Sequence, residues 1–413
     1  MPASASLPIP AALDQLAGLA PPDPVALAPR LHDVLAELVD PRKRRGVRHR
    51  LVVVITVAVC AVAAGARSFV AISEWVADLP AEVAAALGLT GRRPCESTIR
   101  RIVQRLDGDR FDALISAFVQ RLCAARRPGG RRRVLAVDGK TVRGSRSANG
   151  DSDADRQARH LCAVIDQHAR VVLGQVAVNG KSNEITAFAP LLDTLTGLDL
   201  AGVVITADAL HTQREHVEYL HARGAHWVLS VKGNQPRLRR QLAELPWRDV
   251  EPAHRSAQTV HGRREIRTLK VVTIAAGIVF PHAAQAIQIT RKTRSTRAGT
   301  STGTGKRAGK QARWRTETVY AITDLLPHQA RPDELAAWIR GQWQIENALH
   351  WVRDVTFAED LSQVRTGAGP QVMVSFRNLV ISLHRLAGAT NIAAALRHHA
   401  RDATRPLQLL MIT

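Results

Sequence analysis

The sequence predicts an α/β protein in which a helical domain precedes a mixed β-sheet. Apolar residues recur with helical periodicity from about residue 31 to 125, and from Val134 onward short apolar runs alternate with helical stretches. After Pro236 the pattern changes, and most segments up to Asp324 resemble strands. The predicted parts are a flexible N-terminus (1–30), a helical domain (31–125), an α/β domain in two pieces (134–236 and 330–400) and an inserted subdomain (237–329).

The apolar run Leu51–Gly65 follows the basic run Arg42–Arg50, as a membrane anchor with a positive flank would. It has about 15 residues, whereas a helix that crosses a bilayer needs roughly 20. It also begins too far from Met1 to be a signal peptide. We therefore expect a buried helix and no membrane segment.

A second feature of the helical domain is a pair of helices joined by the turn Gly88–Pro94. Ser97 or Thr98 can cap the second helix, which carries Arg100 and Arg101 on exposed faces. The pair resembles a helix-turn-helix, and in that interpretation these arginines contact DNA. Plain helix packing fits the same pattern.

Short buried runs define the predicted sheet. The runs that precede the insertion lie at 134–137, 160–165, 171–178, 202–206 and 226–231. Helices are predicted at 184–195 and 211–223, and again after the insertion at 333–357 and 372–397. Because strands and helices alternate, we expect a mixed sheet covered by helices.

The insertion is predicted to be rich in strands, at 261–274, 286–291 and 318–322. Between the last two lies the Thr/Gly/Ser-rich segment Arg291–Arg315, which carries nine Lys or Arg and no acid. We expect this segment to be a long, mobile basic loop. Its Trp314 is a candidate for stacking on a splayed base.

The charge balance indicates a polyanionic partner. The chain has 57 Lys and Arg against 36 Asp and Glu, a net charge of +21, which favours DNA binding. The absence of a glycine-rich phosphate loop disfavours a small-molecule enzyme. The four cysteines form no CxxC pair, so they predict neither a zinc ribbon nor a disulfide framework and fit a reducing cytoplasm.

Three acids occupy positions that suit a metal site. Asp138 follows the buried run 134–137, Asp208 follows the run 202–206, and Glu346 lies on a predicted helix among apolar residues. A carboxylate at the end of a buried strand is costly unless it is paired or bound to metal. If the two strands are neighbours, their acids converge, and a helix packed across that edge adds Glu346.

Such a group of carboxylates has a defined chemistry. Converging acids repel one another unless cations neutralise them, and hard oxygen ligands suit Mg²⁺ or Mn²⁺. Two ions about 4 Å apart can assist in-line phosphoryl transfer to water or to a DNA 3′-hydroxyl. Singly, each acid has another explanation: Asp138 as part of a turn, Asp208 as a helix cap and Glu346 as an exposed helical acid. The rival carboxylates are Asp354, Glu359 and Asp360.

Five ordered blocks of the sequence resemble one family. They are AVDGKTVRGS (136–145), GKSNEITAFAPLL (180–192), GVVITADALHTQ (202–213), WVLSVKGNQPRL (227–238) and WQIENALHWVRDVTFAED (343–360). With these blocks the chain resembles bacterial insertion-sequence DDE transposases of the H-repeat-associated, ISAs-type family. One departure is Gln342, where the family usually has a basic residue or histidine.

The resemblance implies an RNase H-like catalytic core with a β-rich insertion. Asp138 would lie on the first strand and Asp208 at the end of the fourth, and Glu346 would complete a triad that holds Mg²⁺ or Mn²⁺, with two ions expected. The implied reaction is cleavage at the element ends and strand transfer into target DNA. The implied partners are the terminal inverted repeats and target DNA, bound by a homodimer in the bacterial cytoplasm at the nucleoid.

DNA contacts are predicted for residues near these motifs, in the helical domain and in the basic loop. They are Lys140, Arg143, Lys232, Arg340, Arg353, Arg100, Arg101 and Trp314. The alternative for Lys140 and Arg143 is a solvated turn. Glu184 is interpreted as a helix cap or as an acid near the site, and Trp343 as a core residue in preference to a stacking platform.

Two rival functions share most of these features. A non-catalytic DNA-binding protein derived from a transposase would be expected to lack one of the three acids, and all three are present. A nuclease of the same fold that cuts without joining has the same sequence requirements. Only a strand-transfer assay separates that nuclease from a transposase.

Overall fold

The computed structural model describes seven ranges of the chain, which divide into two compact units. The described ranges are 31–45, 47–124, 131–146, 157–178, 183–260, 262–295 and 313–410. Unit 1 comprises the residues up to Arg131, Asp138–Asp199 and the residues from Gln344 onward, and unit 2 comprises Arg132–Val137 and Leu200–Trp343. The predicted flexible N-terminus (1–30) and the middle of the predicted basic loop (296–312) lie outside the described ranges.

Residues 31–36 are helical, and the helices that follow agree with the predicted α/β class. They are α1 (Leu51–Ala63), α2 (Phe69–Ala77), α3 (Ala81–Ala86), α4 (Glu96–Arg105), α5 (Gly108–Ala124), α6 (Glu184–Asp193), α7 (Arg214–Ala222), α8 (Pro236–Ala243), α9 (Pro332–Ile345), α10 (Gly369–Leu386), α11 (Ile392–His399) and α12 (Thr404–Leu410).

The strands form one mixed sheet in the order β3-β2-β1-β4-β5-β9-β8-β7-β6. They are β1 (Val134–Thr141), β2 (His160–Asp166), β3 (Val171–Val178), β4 (Val204–Ala207), β5 (His226–Val231), β6 (His254–Val260), β7 (Arg263–Thr273), β8 (Gln285–Ser295) and β9 (Arg315–Thr323). Strands β1, β4 and β5 are parallel to one another, and β2–β3 and β5–β9–β8–β7–β6 pair antiparallel.

Helix α1 is the buried helix expected from the apolar run Leu51–Gly65. Every residue of α1 except Val53 is buried, as a helix that is apolar on all sides requires. No helix within the described ranges combines the length and apolar character needed to cross a bilayer.

The start of α4 differs from the prediction. The helix begins at Glu96 with Cys95 at its N-cap and no side-chain cap, so Ser97 and Thr98 lie inside its first turn. Their hydroxyls are each 3.4 Å from the Cys95 sulfur. The predicted caps were wrong because the helix starts two residues earlier than the spacing suggested.

The segment after Pro236 contains more strand than predicted. Strand β6, which is mostly polar, was missed, and the predicted strand 261–274 is β7, paired with β6 from Val260 and Arg263 outward. Residues 291–295 belong to β8 and Arg315 to β9, so both ends of the predicted basic loop are strand. Polar strands of this kind escape prediction because their apolar alternation is weak.

Each unit has its own packed interior. In unit 2, the apolar residues of β1, β4, β5 and β7–β9 pack against Leu335 and Trp338 of α9. In unit 1, α10 is buried over most of its length and contacts α1, α4, α5 and β3. A buried polar network ties these elements together, because the Asp112 carboxylate of α5 accepts hydrogen bonds from Gln175 on β3 and from Gln371 and Ser375 on α10.

Candidate metal centre

Asp138 lies within strand β1 and not at its end. The strand continues to Thr141, and burial decreases from Val137 to Thr141. The half-buried Asp138 carboxylate accepts a hydrogen bond of 3.0 Å from the amide of Gly139. The explanation of Asp138–Lys140 as a turn is therefore wrong, because the parallel partner β4 ends at Ala207 but β1 remains extended beyond it.

The helical stretch that carries Glu346 changes its winding at this residue. Helix α9 ends at Ile345, and Glu346–His350 and Val352–Thr356 form π-helical turns. Such turns are rare and often occur at functional sites. Here the turn leaves Glu346 at its start and His350 at its end, so that the two side chains lie side by side.

Asp138, Glu346 and His350 form a compact group in unit 1. One ligand atom from each residue lies within 4.8 Å of the others. Nδ1 of His350 is 3.1 Å from Oε2 of Glu346 and 3.7 Å from Oδ2 of Asp138. Two carboxylates and an imidazole at this spacing can hold a divalent cation.

The electrostatics of the group favour a neutral His350 beside a charged Glu346. Burial lowers the pKa of His350, although the adjacent Glu346 opposes this shift. The hydrogen bond from His350 lowers the pKa of Glu346. Among the described residues, Nε2 of His350 is buried without a hydrogen-bond partner, so the polar contacts of this ring are made by Nδ1 toward the two acids.

Lys140 extends the site along the same face of β1, since residues two apart on a strand share a face. Its ammonium is 2.7 Å from Oδ2 of Asp354, and its side chain is 12% exposed. Asp354, a rival carboxylate in the sequence, is therefore paired with Lys140. Asp138, Glu346 and Asp354 bring three carboxylates to one ammonium, an excess of negative charge that suits a bound cation.

The opposite face of β1 holds a second polar group. Nε2 of His160 is 2.8 Å from Oε1 of Glu184, and Nδ1 of His160 is 2.8 Å from the Thr141 hydroxyl. A Cβ added at Gly139 would lie 2.3 Å from the Glu184 carboxyl carbon, so a larger residue at this position would displace the end of the Glu184 side chain. Glu184 is not the cap of α6, which is Asn183.

Arg353 lies in the interior of unit 1 and not at a surface that DNA could reach. Its side chain is 1% exposed and donates hydrogen bonds to both carboxylate oxygens of Glu359, which also accepts one of 2.9 Å from Arg377. The predicted DNA contact of Arg353 is wrong, because the three-residue turn Glu359–Leu361 brings Glu359 back against it.

Asp208 lies in unit 2, directly after β4. Its Oδ1 accepts a hydrogen bond of 2.8 Å from the amide of Leu210 and caps the turn Ala209–His211. The sequence offered Asp208 as the cap of the following helix, but that helix begins at Arg214 with Gln213 at its N-cap. The neighbouring His211 is fully buried, and Gln213 donates to the carbonyl of Leu210.

Gln342 joins the neighbouring strands β1 and β4 of unit 2, at residues that precede the acids in the chain. Its amide nitrogen donates to the carbonyl of Val137 at 2.9 Å, and its oxygen accepts from the Thr206 hydroxyl at 2.6 Å. The neutral amide has one donor and one acceptor in use, which a basic side chain would not provide. The departure from the family pattern at this position therefore has a structural role.

Comparison with known proteins assigns the chain to a family. The family model described as Transposase DDE domain matches residues 129–383, more than half of the chain. The chain belongs to this transposase family. A second model, described as DDE_Tnp_1-associated, matches residues 32–119.

Relatives of this transposase-family chain carry consistent names. "Putative transposase YncI" of Escherichia coli O157:H7 is 29% identical over 86% of this chain and 87% of the relative. "H repeat-associated putative transposase YhhI" of Escherichia coli K12 is 27% identical over 91% of this chain and 94% of the relative. A solved piggyBac transposase synaptic complex with hairpin DNA aligns with 93% of this chain and 78% of its own, at 9% identity. Its TM-score of 0.41 is too low to establish a common fold.

The other predicted DNA-contact residues of the transposase have varied surroundings. In unit 1, Arg143 is 79% exposed and 3.7 Å from Asp360, Arg100 pairs with Glu96, and Arg101 is exposed. In unit 2, Lys232 is exposed, Arg340 donates to the Gln258 side chain, and the Trp314 ring lies 5.1 Å from the Arg294 guanidinium carbon.

Sequence reasoning missed His350 and misplaced Trp343. The Glu346–His350 spacing of four residues on a helix is a signal for a pair of ligands that carboxylates alone do not reveal. Trp343 is 66% exposed, so its interpretation as a core residue is wrong. Trp351, the residue after His350, is likewise 55% exposed.

Proposed function

We propose that this protein is a DNA transposase of an insertion sequence that cleaves the element ends and joins them to target DNA. The observation that carries the proposal is the meeting of Asp138, Glu346 and His350 within 4.8 Å. Their donor set suits Mg²⁺ or Mn²⁺, and the match to the DDE family supplies the reaction class.

Asp208 is proposed as the third carboxylate of the centre. Within unit 2, the parallel register pairs Val137 of β1 with Ala207 of β4. Asp138 follows Val137 in the sequence, and Asp208 follows Ala207. This register supports the RNase H-like core that the resemblance implies, with one acid on the first strand and one after the fourth. In this proposal β6–β9 are the insertion and α1–α5 belong to the helical domain that accompanies the core.

A pair of bound Mg²⁺ or Mn²⁺ ions would activate the attacking oxygen and stabilise the leaving one in phosphoryl transfer. Asp138 and Glu346 supply the negative charge that would bind the ions. His350 fixes the Glu346 carboxylate through Nδ1. Lys140, held by Asp354, limits the net negative charge near an incoming phosphodiester. Gln342 positions Val137 and Thr206, which lie just before Asp138 and Asp208 in the chain.

The partner in this proposal is DNA. A net charge of +21 favours phosphate binding, and two relatives carry the name transposase. Arg100, Arg101, Arg143, Lys232 and Arg340 remain predicted DNA contacts. Binding of both element ends by a homodimer, and action at the nucleoid, remain predictions.

The test uses the purified chain, a duplex bearing the inverted repeat that flanks the gene, and Mg²⁺. We expect Asp138→Asn, Asp208→Asn and Glu346→Gln each to lower cleavage at least about 1000-fold, equivalent to about 4 kcal/mol of activation free energy. DNA binding should survive in all three. Asp360→Asn is the matched control, because this acid lies in unit 1 beside Arg143 and outside the proposed centre.

A pre-cut end with a free 3′-hydroxyl separates the reaction classes. Joining of this end to a second duplex supports a transposase, and cutting without joining indicates a nuclease. DNA binding with neither reaction indicates a non-catalytic protein. Near-normal cleavage by any one of the three acid variants removes that residue from the centre.

A further inference from the structure

The four strands β6–β9 of unit 2 have faces of different charge. In antiparallel strands, register partners lie on the same face and adjacent residues on opposite faces. Arg264 is the register partner of Arg294, and Lys292 lies two residues before Arg294 on β8. Arg255 is the register partner of Thr268. Because Thr268 lies four residues after Arg264 on β7, Arg255 is on the same face as Arg264. We call Arg255, Arg264, Lys292 and Arg294 the basic face.

The acids of these strands lie on the opposite face. Glu265 and Glu317 are the acidic residues of β6–β9. Glu265 adjoins Arg264 in sequence, so it points the other way, and Glu317 is the register partner of Arg291 on that same opposite face. Glu265 contacts Arg267 at 2.7 Å and Arg291 at 2.6 Å. Arginines on the opposite face are therefore neutralised in part within the sheet.

The basic face has no such compensation among the described residues. None of its four cations lies within ion-pair distance of a described acid. Like charges directly opposite on neighbouring strands destabilise a sheet, and Arg264 and Arg294 form such a pair. Arg294 is held in place by the Trp314 ring at 5.1 Å. The repulsion between these arginines lowers the stability of the sheet in the free protein. A bound polyanion would neutralise their charges and remove this repulsion.

We propose that the basic face binds the sugar-phosphate backbone of duplex DNA without regard to base sequence. This inference rests on the proposed function, which makes DNA the partner. Reading of bases requires an element that enters a groove. Four strands span about 14 Å between their outer members, wider than the about 12 Å of the major groove. A surface of this width meets the phosphates and leaves the base edges unread.

The experiment compares two double variants with the same change in charge. Arg264→Gln/Arg294→Gln alters the basic face, and Arg263→Gln/Arg315→Gln alters the neighbouring positions on the opposite face, where Arg263 pairs with Ser295 and Arg315 with Thr293. Binding to a terminal-repeat duplex and to a scrambled duplex is measured by fluorescence anisotropy without Mg²⁺, over a range of salt concentration. Thermal unfolding confirms that each variant is folded.

We expect the basic-face variant to lower the slope of log affinity against log salt by about 2, from about 0.9 for each lost phosphate contact. The wild-type advantage should then shrink about 12-fold between about 50 and 200 mM salt. Both duplexes should be affected alike, and the opposite-face variant should change the slope by less than half as much. Lys292→Gln should lower the slope by about 1.

Equal losses in both double variants would show that only net charge matters and would overturn the proposal. A loss confined to the terminal-repeat duplex would overturn its sequence independence. Failure of the proposed function alone looks different: the wild-type chain would then bind DNA with the basic face and never cleave it in a separate assay with Mg²⁺. Binding to neither duplex would overturn both proposals.

Discussion

Glu346 and Glu359 are carboxylates of unit 1 that flank the same π-helical turns but have opposite surroundings. Glu359 is fully buried, and both of its partners are arginines, Arg353 and Arg377. These guanidinium groups hold its pKa at about 2 despite the opposing effect of burial. Glu346 is 63% exposed, and its neighbours are Asp138 and the neutral His350.

The difference lies in the balance of charge. The Glu359 group has two cations for one acid, so the carboxylate is neutralised without a bound ion. The group around Glu346 has three carboxylates, Asp138, Glu346 and Asp354, for the single ammonium of Lys140. Breaking a buried acid–arginine group is costly, whereas a half-exposed cluster with excess negative charge suits a bound cation.

The largest expected effect on stability comes from removing the charge of Glu359. Glu359→Gln leaves Arg353 and Arg377 buried without a counter-charge, and we expect it to lower the free energy of unfolding by about 3–5 kcal/mol. Urea denaturation followed by circular dichroism measures this loss. Glu346→Gln is the matched control: at an exposed position it should change the unfolding free energy by no more than about 0.5 kcal/mol. Equal effects of the two substitutions would erase the proposed distinction between them.

Acid should weaken the same buried group over a defined pH range. The pKa of Glu359 is lowered from 4.5 to about 2 in the folded chain, so its stabilising contribution is present above pH 4.5 and is lost as pH falls through about 2. The full difference corresponds to about 3 kcal/mol, of which about 2 kcal/mol is lost by pH 3. The stability gap between wild type and Glu359→Gln should narrow by that amount between pH 6 and pH 3. A gap that stays constant with pH would mean that Glu359 keeps its ordinary pKa.

Much of the fold followed from local patterns in the sequence. The run 134–137 and the helical spacing around Glu346 placed two of the predicted acids on the correct kinds of element, because burial periodicity depends on nearby residues. The all-apolar run in α1 required burial for the same reason. The family blocks then indicated which of several acids belong together.

The remainder depended on contacts between distant residues or on unusual winding. Arg353 became structural because the turn at Glu359 folds back onto it, and no spacing rule foresees that contact. His350 lies 3.7 Å from Asp138 at the end of the π turn that begins at Glu346, and no local spacing relates this histidine to an acid on a distant strand. Strand β6 was missed because its polar residues gain their order from the ladder with β7.

The last prediction concerns the effect of His350 on the affinity of the proposed centre for Mn²⁺. If Nδ1 fixes Glu346 for a cation, His350→Ala should weaken Mn²⁺ binding, measured by calorimetry without DNA, by about 10- to 100-fold. His350→Gln retains a hydrogen-bond donor and should recover part of the loss if the ring only positions Glu346. No recovery would indicate that the imidazole itself is a ligand. His160→Gln is the matched control, because His160 contacts Thr141 and Glu184 on the other face of β1. If His350→Ala binds Mn²⁺ with unchanged affinity, this histidine has no part in metal binding. Its position beside the two acids would then reflect packing only.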